Sequence, residues 1–175
     1  MMPSHPNLLS TTRLVLRALL SLNFILGMGI GALLLASFIP PQWLQAALGA
    51  RPEAPPALMT GMRLIMLIML IGLAGVPLAN LVLARLLAMV TTVRDGDPFI
   101  PANAARLQAI AWALLAIQIL NLAVGAVCAS VSMIYPLDIG WSPSVDGWLS
   151  VLLLFILARV FDAGTKMRID LEGTV

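Results

Sequence analysis

Residues 107–137 run for 31 positions without one charged side chain. As a helix this run measures about 46 Å, against a hydrocarbon core of about 30 Å. A helix apolar on every side must be surrounded by protein or by lipid, and a chain of 175 residues is too short to wrap several such elements in protein. Residues 18–39 and 64–84 are two more charge-free runs, each matching the roughly 20 residues a crossing needs. The fourth apolar segment, from Pro143 to about Phe161, is the shortest and carries Arg159.

Composition agrees. Hydrophobic residues make up 61% of the chain and charged residues 10%, where a soluble domain carries about a quarter charged. Lipid is the simpler solvent, and the expected fold is all-α: an integral membrane bundle of four transmembrane helices in a single domain over residues 1–175. The first apolar run is longer than the 7–15 residues of a secretory signal, so it reads as a retained helix.

Punctuation sets the expected boundaries at about 14–39, 57–87, 103–135 and 143–163. Pro40 and Pro41 stop the first helix, since proline lacks the donor a helix interior uses. Pro77 should kink the second without ending it, because neighbouring helices can satisfy the freed carbonyl. Asp95, Gly96, Asp97 and Pro98 form a turn. Asn103 suits the N-cap of the third helix, with Asp97–Pro98 as an alternative start. Ser142 followed by Pro143 suits the cap and first position of the fourth. Residues 88–102 then form a central loop, and residues 40–56 and 136–142 form short loops on the opposite side, with Trp43, Trp141 and Trp148 at an interface.

Lysine and arginine orient the bundle. The two tails and the central loop hold Arg13, Arg17, Arg85, Arg94, Arg106, Arg159, Lys166 and Arg168, while the other two loops hold Arg51 and Arg63. Both termini and the central loop are therefore expected in the cytoplasm, which agrees with an even number of crossings.

The most polar stretch inside the apolar sequence is residues 93–112, and with the C-terminal residues 160–175 it looks familiar. A Gly-x-Pro-Phe step, an Asn and an Arg-Leu pair stand here as Gly96, Pro98, Phe99, Asn103, Arg106 and Leu107. After the last helix come Phe161, Gly164, Asp170, Glu172, Gly173, Thr174 and Val175. Together these resemble the two signature regions of domain-of-unknown-function family 2975, small bacterial membrane proteins with four helices, over nearly the whole chain. One departure is Arg168-Ile169-Asp170, where the family usually has a run such as Arg-Glu-Asp. The resemblance implies a bacterial cytoplasmic (inner) membrane and no established activity. Genes of this family often adjoin one for a small helix-turn-helix regulator, which implies a cytosolic DNA-binding protein as partner.

Chemistry is sparse. No nucleophile–base pair and no metal set is visible, so the chain reads as non-enzymatic, with no cofactor and no metal. Asp95 and Asp97 have no His or Cys beside them and serve the turn better than a cation. His5 lies alone in the N-terminal tail, and Cys128 has no second cysteine to pair with. The formal charge of +2 is too small to suggest direct binding of nucleic acid.

Two readings of function remain. In the first, a cytosolic face presented or shaped by Gly96, Pro98, Phe99, Asn103 and Arg106, with Arg168 and Asp170 beside it, receives a partner. In the second, the intramembrane polar residues Asn23, Asn80, Gln118 and Asn121 line a path in a transporter or channel subunit acting as a homo-oligomer. Their plainer role is interhelical hydrogen bonding, worth about 0.6–2 kcal/mol each. Gly27 and Gly31 form a Gly-xxx-Gly pair of the kind that lets two helix backbones approach.

Overall fold

A computed structural model of the chain describes residues 6–38, 56–94, 98–134 and 140–172. These form four helices, α1 (Pro6–Ala36), α2 (Pro56–Arg94), α3 (Pro101–Ile134) and α4 (Val145–Glu172), and no strand. Each helix contains a stretch long and apolar enough to cross a membrane. In hydrocarbon every backbone polar group needs a partner within the protein, and a helix supplies it locally.

Local chemistry sets the ends. At the close of α1 the Ser37 and Phe38 amides donate to the Leu33 and Leu35 carbonyls, and the Ser37 hydroxyl donates to the Leu34 carbonyl. This consumes acceptors the last turn would leave bare. α2 passes through Pro77 unbroken and continues to Arg94, two turns beyond the end expected at residue 87. Thr91 and Thr92 hold this extension by donating their hydroxyls to the Leu87 and Met89 carbonyls. α4 is capped by Ser144, whose Oγ accepts from the Gly147 amide at 3.2 Å. The cap thus lies two residues later than the expected Ser142. At its other end α4 runs on to Glu172, well past residue 163. Of the loops expected at 40–56 and 136–142, only Pro56 and residues 140–142 are described.

Among the described residues each helix packs only on its neighbours in the chain: α1 on α2, α2 on α3, α3 on α4. Among the described residues α1 meets neither α3 nor α4, and α2 does not meet α4. The bundle is therefore an open row. α3 supplies most of the core, burying Leu107, Ile110, Ala111, Ala113, Cys128 and Val131. Leu14, Phe24 and Leu35 of α1 and Leu149, Leu153 and Ile156 of α4 are exposed, as suits edges bathed in acyl chains.

The α3–α4 pair is antiparallel. Phe99 stacks near Phe161 and Trp112 meets Phe155 edge-on, both with centroids 5.2 Å apart. Farther along, the Gln118 carboxamide abuts Gly147 and the Trp141 ring fills the space beside Gly125.

Between α1 and α2, Gly27 is buried and a β-carbon there would lie 2.8 Å from Val76 Cγ1, whereas nothing stands within 4 Å of one at Gly31. Only half of the Gly-xxx-Gly pair is a contact. Gly27→Ala should therefore destabilise the chain by about 1–3 kcal/mol through overpacking. Gly31→Ala should be neutral or stabilising by up to about 1 kcal/mol, from helix propensity. Thermal unfolding in detergent micelles separates the two; equal effects would contradict this packing.

Candidate functional site

The polar residues of the central stretch converge on Asn103, whose side chain is fully buried. Pro101 opens α3, so Asn103 sits inside the first turn and is not the N-cap. Its backbone amide donates to the Ile100 carbonyl at 2.9 Å. Its carboxamide is spoken for on both sides. Nδ2 donates to Thr92 Oγ1 at 2.9 Å and to the Pro98 carbonyl at 2.8 Å, while Oδ1 accepts from Arg106 Nη1 at 2.8 Å. A carboxamide has two N–H donors, and both are used. The single Thr92 proton goes to the Met89 carbonyl at 2.8 Å in preference to Asn103 Oδ1 at 3.2 Å. One side chain thus ties together the end of α2, the connection and the start of α3.

Arg106 follows Asn103 by three residues, which places both on one face of the helix. Its Nη1 also lies 3.5 Å from the Ala88 carbonyl of α2. Leu107, next in the chain, is buried.

Phe99 stands at the outside of this junction. It is 44% exposed, its ring lies tilted by 30° against Phe161, and a β-carbon at Gly164 would come within 3.2 Å of its Cδ1. Gly164 thus leaves room for Phe99 on α4. Beyond this contact α4 extends as a helix to Glu172, carrying Arg168 and Asp170, both exposed. Lys166 pairs with Asp162 at 2.8 Å one turn away, an exposed pair of little energetic weight. Pro98, Phe99, Asn103 and Arg106 are therefore brought together, with the α4 extension alongside, and Gly96 lies outside the described residues.

The intramembrane polar residues are dispersed. Asn23 donates to the Val76 carbonyl at 3.0 Å, in the α1–α2 interface. Gln118 lies against Gly147, in the α3–α4 interface. Asn80 and Asn121 are exposed. No three His, Cys, Asp or Glu residues among the described ones form a group that could hold a metal.

Sequence reasoning passed over Thr92, which it placed in a loop. The signal was the Thr91-Thr92 pair closing an apolar helix. It also passed over a groove of about 830 Å³ between the start of α3 and the end of α4, where Gln108, Arg159, Asp162 and Lys166 meet the small side chains of Ala104 and Ala105.

Removing the Asn103 carboxamide leaves the Pro98 carbonyl and the Arg106 guanidinium short of a partner. Asn103→Leu should destabilise the chain by about 2–3 kcal/mol, and Thr92→Val by about 1 kcal/mol. Unfolding curves in micelles measure both, and an Asn103→Leu effect below about 0.5 kcal/mol would show that the network holds nothing.

No curated protein and no solved structure matches the chain. A family model described as "Protein of unknown function (DUF2975)" matches residues 48–175. The match takes in α2, α3, α4 and both signature regions, and leaves α1 outside. The Asn103 junction and the α4 extension packed beside it thus lie wholly within the matched residues, and the chain belongs to the DUF2975 family.

Proposed function

We propose that this chain is a non-enzymatic membrane protein of a bacterial inner membrane whose α2–α3 junction and α4 extension form a docking face for a cytosolic protein. The observation that carries this reading is the helical continuation of α4. Residues 160–172 add about 20 Å of helix beyond Arg159 and carry Asp162, Lys166, Arg168, Asp170 and Glu172. So many charges belong in water. Met167 and Ile169 are 62% and 55% exposed among them, and Phe99 stands exposed at the helix base. Apolar side chains set among charges outside the lipid are what a partner surface offers.

The partner this reading favours is a small helix-turn-helix DNA-binding regulator. Asn103 shapes the face from within, while Phe99, Arg168 and Asp170 present it. The lipid bilayer is the other partner, and direct contact with nucleic acid is not part of the reading. A transporter built on Asn23, Asn80, Gln118 and Asn121 is less well supported, because these residues occupy separate interfaces or exposed positions.

Immobilised full-length protein in detergent should retain a DNA-binding regulator from cytosolic extract. Phe99→Ala combined with Arg168→Glu should cut retention at least tenfold, with thermal stability lowered by only about 1–2 kcal/mol through the lost Phe99–Phe161 ring contact. Undiminished retention would overturn the docking face. Orientation is tested separately. In a Cys128→Ser background, Ser10→Cys and Met167→Cys should both resist a membrane-impermeant thiol reagent in intact spheroplasts and both react after permeabilisation. Labelling of either one in intact spheroplasts would reverse the assignment.

A further inference from the structure

The apolar run of α4 is shorter than a bilayer. Asp146 and Arg159 bound a charge-free stretch of 12 residues, so the two charges lie about 20 Å apart along the helix. The hydrocarbon core is about 30 Å thick. Wherever the slab is placed, the depths of the two charges below its surfaces add to about 10 Å, and tilting α4 only increases the sum.

Asp146 has an easy escape. It lies in the first turn of α4, and helical side chains lean toward the N-terminus, here toward the nearer surface. Arg159 lies toward the other end, so the same lean points it away from its nearer surface and into the bilayer. Its guanidinium makes no hydrogen bond or ion pair among the described residues. A buried arginine in a membrane is costly unless an anion or a carbonyl meets it.

The open groove between α3 and α4 lies at that place. Arg159 and Lys166 bring two positive charges, Asp162 one negative charge, and Gln108 a neutral donor. The positive end of the α3 dipole adds to the potential. Ala104 and Ala105, a turn nearer the junction than Gln108, form a small-residue floor between Arg159 and Lys166, and Phe155 and Ala158 line the deeper, apolar end. Cationic heads above a smooth apolar channel match an anionic phosphodiester above an acyl chain.

We propose that this groove binds an anionic glycerophospholipid from the leaflet adjoining the α2–α3 junction, its phosphate seated over Ala104 and Ala105 and paired with Arg159, and an acyl chain running deeper past Phe155. Lys166, already held by Asp162, adds long-range attraction. The site shares Asp162 and Lys166 with the α4 extension but rests on Arg159 and the groove, not on a docked protein.

Native mass spectrometry of the full-length chain from detergent tests it, with phosphatidylglycerol and phosphatidylcholine of identical acyl chains as probes. Phosphatidylglycerol occupancy should exceed phosphatidylcholine occupancy at least fivefold. Arg159→Gln should erase the difference and Arg159→Lys should keep most of it. Ala105→Phe, which fills the groove and leaves every charge in place, should also erase it, while Arg17→Gln on α1 should change nothing. Equal retention of the two lipids, or selectivity that survives both Arg159→Gln and Ala105→Phe, would overturn the proposal. So would displacement of phosphatidylglycerol by millimolar inorganic phosphate, which would mark a site for a free anion.

Discussion

A polar group withdrawn from water must find its partners inside the protein, and Asn103 is where this chain meets that demand between two helices. Its carboxamide offers two donors and an acceptor, and it spends one donor on α2, one on the connection and the acceptor on its own helix. The residue type follows from that count. Aspartate has no donors to give, and leucine would strand the carbonyl of Pro98. Glutamine would carry the same group one methylene too far to reach Thr92 and Pro98 together. The spacing to Arg106 follows as well, since one turn of helix puts the guanidinium at the Oδ1 that the other contacts leave free.

The rest of the architecture is a row, and a row is held one interface at a time. α1 touches only α2. There the contact is a glycine facing a valine and an asparagine reaching the carbonyl just before Pro77. The donor Pro77 lacks would have served the Leu73 carbonyl four residues back, so the Asn23 bond to Val76 is an added tie between the helices and not a replacement for it. In a soluble protein the free faces of α1 and α4 would have to close on each other. In lipid they need not, because acyl chains solvate leucine and phenylalanine as well as a protein interior does.

The number of helices was legible because lipid imposes a length and forbids charge, and both can be counted from residues alone. The ends were less legible. Thr91 and Thr92 fall in the loop expected over 88–102, yet they fold back on their own helix, and Thr92 also meets Asn103. The expected end of the fourth helix falls near its first charges, but Asp162 and Lys166 are spaced one turn apart and pair as helical residues do. Phe99, Asn103 and Arg106 could be picked out by their setting. That Asn103 is buried while Phe99 is exposed could not, because Thr92, Phe161 and Gly164 reach them only through the packing of α2 and α4.

The register of α4 against α3 accounts for the groove and the extension together. α4 begins opposite Gln118, leaving about 24 Å of α3, from Gln118 to its end at Ile134, without a helix of α4 beside it. Residues 140–144 cover part of that length, and the Trp141 ring occupies the space that Gly125 leaves open. Non-helical backbone is tolerated at membrane depth only against protein, and an indole laid over a glycine provides such a contact while Ser144 serves the Gly147 amide in the first turn of α4. Starting so far along α3 displaces the whole of α4 toward the α2–α3 junction. The displacement draws Arg159 to the level of Gln108 and carries Arg168 and Asp170 beyond the start of α3. A glycine that admits a tryptophan at one end of the pair thus sets which charges meet lipid, and which meet water, at the other.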